Sequence, residues 1–256
     1  MSKGTKPIHS PINLNLIAII LTYNEEEHIV ACIKSLAWAD SVLVWDSFST
    51  DKTLELAQAA GAKIGQAVFE NYAQQRNAAL DSLEGSGCDW VFFVDADERA
   101  TDDLAKEIRG VIDNRPENGW FVPRHNYIFG NLTLGAGWFP DYQARLFKYG
   151  KVRYERPVHE VALVDGERGW LETPLVHYNY KDIEQFHRTQ EKYTLYEAGI
   201  LKQEGIRPKF YTPFTQPIRH FWWRYKTLGG YKDGLHGLRL SLLMGYYEWV
   251  KYKNLK

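Results

Sequence analysis

The sequence lacks the glycine-rich loops that hold phosphate groups in many nucleotide-binding proteins. Neither G-x-x-x-x-G-K-[ST] nor G-x-G-x-x-G follows its first apolar run, where the chain reads YNEEE instead. A bound nucleotide would therefore have to be held by side chains or by a metal ion, because the chain offers no backbone cradle.

Cysteine is scarce as well. The two cysteines, Cys32 and Cys88, stand in apolar contexts and do not have the spacing of metal ligands. We expect both to be reduced core residues of a cytosolic protein, with a single disulfide as the alternative. Residues 1–15 contain no apolar segment of the kind that a signal peptide requires, so export is not expected.

Acidic residues and long apolar runs are both rare in the last fifty residues. Residues 207–256 carry 10 Lys and Arg against 2 acids, with 12 aromatic side chains, whereas residues 1–206 carry 21 Lys and Arg against 30 acids. The longest uncharged stretch of the last predicted helix, Leu240–Tyr247, is far shorter than the ~20 residues that cross a bilayer. We predict an amphipathic segment that contacts an anionic membrane surface. A helix packed on the domain with a solvated basic face is the alternative; nucleic acid is not expected, because no recognised nucleic-acid module surrounds the segment.

What the chain does contain is an alternation of strand and helix patterns up to Asn114. Apolar runs typical of buried strands alternate with segments of helical spacing, and these runs lie at residues 14–22, 41–46, 63–69 and 89–95. The alternation predicts an α/β fold whose mostly parallel sheet is covered by helices on both faces. Short strand patterns separated by Gly and Pro follow, which predict antiparallel additions before a long helix at residues 182–203.

Polar clusters end three of the predicted strands. These clusters are Thr22–Glu25, Asp46–Ser47 and Asp95–Asp97. In an open parallel sheet, ligands bind beyond the carboxyl ends of the strands. A single cluster would indicate a turn, but three at one edge predict a ligand site in a shared crevice.

The third cluster places Asp95, Asp97 and Glu98 within four residues. Like charges this close repel one another and are costly to bury, so we expect either water or a metal ion to neutralise them. Mg²⁺ and Mn²⁺ bind through one or two carboxylates and complete their coordination with water and phosphate oxygens, so Asp-x-Asp at a strand end predicts a metal–diphosphate site. Arg76, in the helical pattern QQRNAAL, is a candidate phosphate partner; a solvated helix arginine is an equal alternative.

Several segments, taken in order, resemble the family 2 glycosyltransferases, which have the GT-A nucleotide-sugar fold. They are TYNEEEHIVACIKSL, VWDSFSTDKT, QRNAAL and VDADE. Three more segments, GWFPDYQARLFKYG, VHE and GGYKDG, make the chain similar to the bacterial subgroup that includes lipopolysaccharide-core β-glucosyltransferases. The resemblance runs from about Leu14 into the last helix.

The resemblance implies a reaction and a location. The reaction would be an inverting, metal-dependent transfer of one hexose, with glucose expected, from a UDP-sugar to a lipid-linked saccharide such as lipopolysaccharide core, with Mg²⁺ or Mn²⁺ as cofactor. The enzyme would be cytoplasmic and peripheral on the inner face of the cytoplasmic membrane. Residues 1–206 would form the catalytic domain, with a nucleotide-binding half at about 14–114 and an acceptor half at about 115–206. Residues 207–256 would form the membrane-contacting segment.

On the donor side, the resemblance assigns nucleotide-sugar contacts to the strand ends and to the helix arginine. These residues are Thr22, Tyr23, Asn24, Glu25, Asp46, Ser47, Arg76, Asp95 and Ala96. Asp97 would ligate the metal, and Asp95 would reach the ribose or a metal-bound water. The metal and the diphosphate would then neutralise the acids, with Glu98 turned away or supporting the ligands. His177 is a further candidate ligand, but lone histidines near strands, such as His177 and His159, are more often hydrogen-bonded core residues.

On the acceptor side, inverting transfer needs a carboxylate that takes the proton of the acceptor hydroxyl. Asp141, in the later half of the chain, is the predicted base, and Glu160 in VHE is the second choice. Arg145 shares a strand face with Gln143 and is expected to counter the pyrophosphate. The side chains expected to contact the acceptor or its sugar are Trp138, Tyr142 and Gln143.

Two other classes of function compete with this one. A nucleotidyltransferase on a similar sheet would require a glycine-rich, basic loop after the first strand, and YNEEE at that position argues against it. A catalytically silent module that binds a sugar nucleotide or a membrane would not need Asp95, Asp97 and Asp141, all of which are present.

Overall fold

The computed structural model describes residues 14–156 and 161–255. The strands in these ranges are β1 (Leu16–Thr22), β2 (Ser41–Asp46), β3 (Lys63–Gln66), β4 (Trp90–Asp95), β5 (Glu98–Arg99), β6 (Gly119–Val122), β7 (Arg124–Ile128), β8 (Asn131–Thr133), β9 (Gln143–Lys148), β10 (Val152–Glu155), β11 (Val161–Val164), β12 (Arg168–Trp170) and β13 (Leu175–Tyr180). The α-helices are α1 (Ile29–Ser35), α2 (Thr53–Ala59), α3 (Tyr72–Asp81), α4 (Asp102–Asn114), α5 (Ile183–Gln203), α6 (Thr212–Trp222) and α7 (Gly234–Lys253).

The central sheet has seven strands in the order β12-β6-β9-β4-β1-β2-β3. β1 pairs in parallel with β2 and with β4, and β2 pairs in parallel with β3. β9 runs antiparallel between β4 and β6, and β10 and β11 form a separate antiparallel pair. The predicted mostly parallel sheet with antiparallel additions is confirmed.

Both faces of the central sheet are buried, because neighbouring residues of its middle strands are apolar and point to opposite faces. In β1, Leu16, Ala18 and Ile20 pack with residues of α1, α2 and α4, whereas Ile17 and Ile19 pack with residues of α3. All five side chains are nearly inaccessible to solvent. Full burial of a large aliphatic side chain stabilises the fold by about 1.5–3 kcal/mol, so β1 anchors both layers of helices.

The chain folds into two compact units. The first comprises the residues up to Val122 together with Gln143–Leu175, and it contains the seven-stranded sheet. The second comprises Pro123–Tyr142 and the chain from Val176 onward. These units divide the chain at other positions than the boundary expected at residue 206, because β7 and β8 belong to the same unit as the C-terminal helices.

The second unit is built on β13, β7 and β8, which lie side by side in that order. Its apolar core joins Ile128 and Tyr180 from these strands to Phe186 of α5 and to Leu240 and Tyr247 of α7. The long helix predicted at residues 182–203 is therefore present as α5, and its inner face closes this core.

The basic and aromatic segment at the end of the chain is helical, as expected. Between α6 and α7 lie a π-helical turn at Trp223–Thr227 and a 3₁₀ turn at Gly230–Asp233. Pro213 stands in the first turn of α6, where its missing N–H breaks no helical hydrogen bond. None of the helices within residues 14–156 and 161–255 combines the length and the apolarity that crossing a bilayer requires.

Candidate active site

The three predicted polar clusters follow strands whose carboxyl ends lie at one edge of the sheet. Thr22 is paired with Asp46 across β1 and β2, and Leu21 is paired with Asp95 across β1 and β4. Because all three strands are parallel, the residues that leave them emerge on the same side. The first part of the candidate site is therefore assembled by strand register alone.

Two loops at this edge are bonded to each other. The N–H of Asn24 donates to Ser49 Oγ at 2.8 Å, and Asn24 Oδ1 accepts from the N–H of Thr50 at 2.8 Å. One residue further on, the N–H of Glu25 donates to Thr53 Oγ1 at 2.8 Å. Asn24 has a φ of +56°, a left-handed conformation that asparagine tolerates better than most residues. The loop after β1 is thus fixed against the loop after β2.

Asp46 is fully buried and is held inside this arrangement. Its carboxylate accepts from the N–H and the hydroxyl of Ser49 and from Gln66 Nε2 at 3.1 Å. The neighbouring Ser47 Oγ accepts from Gln75 Nε2 at 2.6 Å. Asp46 therefore holds the loop at residues 47–50 in place through its hydrogen bonds with Ser49.

Two acids of the third cluster, Asp95 and Glu98, are paired with arginine, which was not predicted from the sequence. Arg145 on β9 is buried, and its guanidinium donates to both carboxylate oxygens of Asp95 and to Glu98 Oε1 at 2.7 Å. Glu98 has no solvent exposure and also accepts the N–H of Asp95 at 2.9 Å. The expectation that only water or a metal would neutralise the cluster is therefore corrected. Glu98 does not turn away; it lies between Arg145 and the end of β4.

Arg76 is the second arginine of this cluster. It is buried, with a guanidinium nitrogen 3.6 Å from Asp95 Oδ1, and it lies over the rings of Phe93 and Tyr154 at 5.1 and 5.4 Å. The alternative of a solvated helix arginine is thus excluded. The aromatic rings provide a favourable surface for the cation, which holds it at the carboxyl end of β4.

The open side of the same edge keeps an excess of negative charge. The pKa of Glu25 is raised from 4.5 to about 7. Burial is the largest cause, the charges of Asp97, Asp51 and Asp95 act in the same direction, and Arg99 opposes them. Within residues 14–156 and 161–255, no group of three or more His, Cys, Asp or Glu side chains is arranged to hold a metal ion.

The predicted base lies in the second unit. Arg124 donates from Nε and from a terminal nitrogen to Asp141 Oδ2, at 2.9 and 2.6 Å, and Asn126 Nδ2 donates to the same oxygen at 3.2 Å. These bonds fix the orientation of the carboxylate. Glu160, the second choice for the base, and His159 lie outside the described residues.

Asn126 links Asp141 to His177 and also determines the tautomer of that histidine. Asn126 Nδ2 donates to two groups that can only accept, Trp138 O at 2.9 Å and Asp141 Oδ2, so the amide orientation is fixed. Its Oδ1 then accepts from His177 Nδ1 at 2.7 Å and from Asn179 at 3.0 Å. His177 therefore carries its proton on Nδ1, and in the neutral ring the lone pair is on Nε2. A metal-ligating histidine commonly has this arrangement, as does a hydrogen-bonded core histidine.

The remaining predicted residues differ in exposure. Tyr23 is 57% exposed, so its ring is open for stacking, and Tyr142 is also exposed. Trp138 packs against Tyr180 with ring centroids 6.1 Å apart, so it serves the core of the second unit. Ala96 is buried, and Thr22 is buried with a hydroxyl that has no hydrogen-bond partner among the described residues. Gln143, the first residue of β9, is half-buried.

The two residues that orient the predicted base, Arg124 and Asn126, were not predicted from the sequence. A signal for them exists, because Arg124 and Asn126 alternate along β7 and so share one face of the strand. A second signal is the arginine in the apolar pattern of β9, since a buried arginine requires an anionic partner.

Replacing Arg145 by Met is expected to destabilise the protein by about 3–5 kcal/mol, because Glu98 would keep a buried charge without its partner. Equilibrium unfolding in urea measures the change. The double variant Arg145→Met/Glu98→Gln should recover most of the loss, since the buried charge is then removed with its partner. A single variant within about 1 kcal/mol of the parent protein would contradict this account.

Replacing Glu25 by Gln is expected to stabilise the protein as the pH rises above 4.5, with the full effect above about pH 7. The pKa of Glu25 is raised in the folded state, so the carboxyl favours folding below pH 4.5 and this contribution is lost as the pH rises through about 7. Thermal unfolding in chelator should show the variant more stable by about 1 kcal/mol at pH 8.5, after discounting for partial exposure, and equal to the parent at pH 4.5. Glu70→Gln, at an exposed carboxylate, is the control for the loss of one surface charge.

Comparison with known proteins extends these observations. The model of the family described as glycosyl transferase family 2 matches residues 17–162. The chain is 32% identical over 254 residues to the lipopolysaccharide core biosynthesis glycosyltransferase LpsC of Rhizobium meliloti, covering 93% of this chain and 90% of that protein. It is 38% identical over 263 residues to an uncharacterized glycosyltransferase of Rickettsia conorii, covering 93% and 89%.

Among solved structures, the chain is similar to glucosyl-3-phosphoglycerate synthase from Mycobacterium tuberculosis in complex with phosphoglyceric acid. The TM-score is 0.51 at 16% identity, over 77% of this chain and 82% of that chain. At that identity the likeness shows the fold alone, and it agrees with the GT-A fold expected from the sequence. With the family model matched over residues 17–162, the chain belongs to glycosyl transferase family 2 and is a glycosyltransferase.

Proposed function

We propose that this glycosyltransferase transfers one hexose, glucose, from a UDP-sugar to a lipid-linked saccharide with inversion at the anomeric carbon. The observation that carries the proposal is the shared edge of β1, β2 and β4, where Glu25, Asp95 and Asp97 gather beside the buried Arg76. The name of LpsC, a relative along nearly the whole chain, supports an acceptor of the lipopolysaccharide-core type.

The donor would bind at this edge. Tyr23 offers an exposed ring for stacking on the uracil, and the buried Thr22 hydroxyl offers a polar contact next to it. The loops after β1 and β2 are already bonded to each other, so the nucleotide pocket needs little reorganisation when the donor binds. Asp46 would contribute by supporting the second loop, and Arg76 would lie near the phosphates.

A divalent cation fits the chemistry of this edge. Burial, and after it the charges of Asp97, Asp51 and Asp95, raise the pKa of Glu25 to about 7, and a cation would relieve the repulsion among these acids. Asp97, with Asp95 beside it, would hold Mg²⁺ or Mn²⁺, and diphosphate oxygens would complete the coordination. When bound, the ion would stabilise the negative charge of the departing diphosphate. His177 stays a candidate for a further ligand.

Asp141 would act as the general base. The acceptor hydroxyl oxygen forms a bond to the anomeric carbon while the bond from that carbon to the diphosphate oxygen breaks, and UDP leaves. The proton of the hydroxyl passes to the Asp141 carboxylate. Arg124 and Asn126 keep that carboxylate in one orientation, which a base must have if it is to meet the proton during attack.

Calorimetry with UDP-glucose, UDP-galactose, UDP-N-acetylglucosamine and GDP-mannose tests the donor and the metal together. UDP-glucose should bind in Mn²⁺ and lose its affinity in chelator, and Asp97→Asn should weaken the Mn²⁺-dependent binding by roughly tenfold or more. Asp103→Asn, at a side chain that is 79% exposed on α4, is the matched control and should bind normally. Equal binding in Mn²⁺ and in chelator would exclude the metal role of Asp97.

Replacing Asp141 by Asn should leave UDP-glucose binding intact and lower turnover by about 10²–10⁴-fold, the usual contribution of a general base. Transfer of labelled glucose from UDP-glucose to lipopolysaccharide with a truncated core measures turnover. Glu160→Gln is assayed beside it, and Asp165→Asn, an exposed site, is the control. An active Asp141→Asn variant with an inactive Glu160→Gln variant would move the base to Glu160.

A further inference from the structure

The second unit has an exposed apolar surface that sugar transfer does not use. The α6–α7 face consists of Phe214, Ile218 and Trp222 on α6 and Leu242 and Tyr246 on α7, and each of these side chains is more than half exposed. Within each helix they stand four residues apart, so they share one side of it. Exposed apolar side chains gathered in this way mark a surface that meets a partner.

A groove between the two helices joins four of these side chains into one surface. Its volume is about 370 Å³, and it is lined by Phe214, Ile218, Leu242 and Tyr246 together with Pro217, Trp249 and similar residues, none of them charged. A sugar nucleotide needs charged and hydrogen-bonding partners, which this groove does not supply. An apolar chain or an apolar layer fits it.

Within residues 207–256, which contain the α6–α7 face, Lys and Arg outnumber the acids by 10 to 2, and both acids are engaged within the fold. Asp233 accepts the N–H groups of Leu134 and Gly135, and Glu248 pairs with Lys251 at 2.7 Å. Exposed cations remain on the same helices and on the turns beside them. They include Lys209, Arg219, Lys226, Lys232 and Lys253.

We propose that the α6–α7 face docks on a lipid bilayer with anionic phospholipid headgroups. The apolar side chains would enter the boundary between headgroups and acyl chains, and the exposed cations would contact the phosphates. Trp222 and Tyr246 are of the residue types that prefer this boundary. Charge argues against a second copy of the chain as the partner, since two such faces would bring like charges together.

This inference goes beyond the proposed function and depends on neither the donor nor the metal. The five residues of the α6–α7 face and the surrounding cations all belong to the second unit, and none of them is assigned to the donor site or to the base. Vesicle binding and donor binding can therefore fail separately.

Co-sedimentation of the full chain with vesicles tests the proposal. The protein should bind vesicles of phosphatidylethanolamine with phosphatidylglycerol and should not bind vesicles of phosphatidylcholine alone. Phe214→Ser/Leu242→Ser should lower the partition coefficient by roughly tenfold or more. Arg219→Gln/Lys226→Gln should lower it by a similar factor and flatten its dependence on salt.

The matched control is Tyr193→Ser/Leu195→Ser, which removes two exposed apolar side chains of α5 and should leave vesicle binding unchanged. UDP-glucose calorimetry and thermal unfolding on each variant show that the fold and the donor site persist. The proposal is overturned if the parent protein does not bind anionic vesicles, or if Phe214→Ser/Leu242→Ser binds them as strongly as the parent protein does. It is also overturned if sedimentation velocity shows a dimer that this variant dissociates while no protein binds vesicles.

Discussion

The candidate site depends on the ion pair of Arg145 with the buried Glu98, in which Arg145 also bonds the partly exposed Asp95. Arg145 reaches the acids because β9 enters the sheet antiparallel to β4, with Leu146 opposite Phe92. Burying these charges costs free energy that their attraction only partly offsets, so the pair contributes geometry more than stability. It fixes Asp95 at the end of β4, and every assignment at the donor edge assumes that position.

The sequence was sufficient to predict the parallel sheet and the edge at which its polar strand ends meet. Apolar runs such as Leu16–Thr22 predict buried parallel strands, and parallel strands bring their ends together whatever the details of packing. Partners across long sequence separations were not predictable. Arg145 and Asp95 are 50 residues apart, and which strand β9 would pair with depends on the packing of the whole sheet. Asp46 shows the same limit, because a polar strand end does not reveal that its carboxylate will be fully buried.

In the second unit, the neutral side chain of Asn126 has the corresponding role. Asn126 is fully buried, and its side-chain amide bonds to Asp141, Trp138, His177 and Asn179, so one amide sets the orientation of the predicted base and the tautomer of a histidine. A satisfied polar network of this kind is rigid, and loss of any member leaves another buried group unpaired. From the sequence alone, Asn126 is an ordinary residue in a short strand, because its partners come from two other segments of the chain, the loop before β9 and β13.

The loop Thr133–Ala136 is joined to residues about one hundred positions later. Thr133 bonds His236, the N–H groups of the next two residues bond Asp233, and the last carbonyl accepts from Arg224. During synthesis, the strands of the donor edge are complete long before these partners leave the ribosome. The loop that leads to Asp141 can therefore form these hydrogen bonds only after the start of α7 has been synthesised. We therefore expect the second unit to take its final form only after the chain has been made as far as α7, later than the edge of β1, β2 and β4.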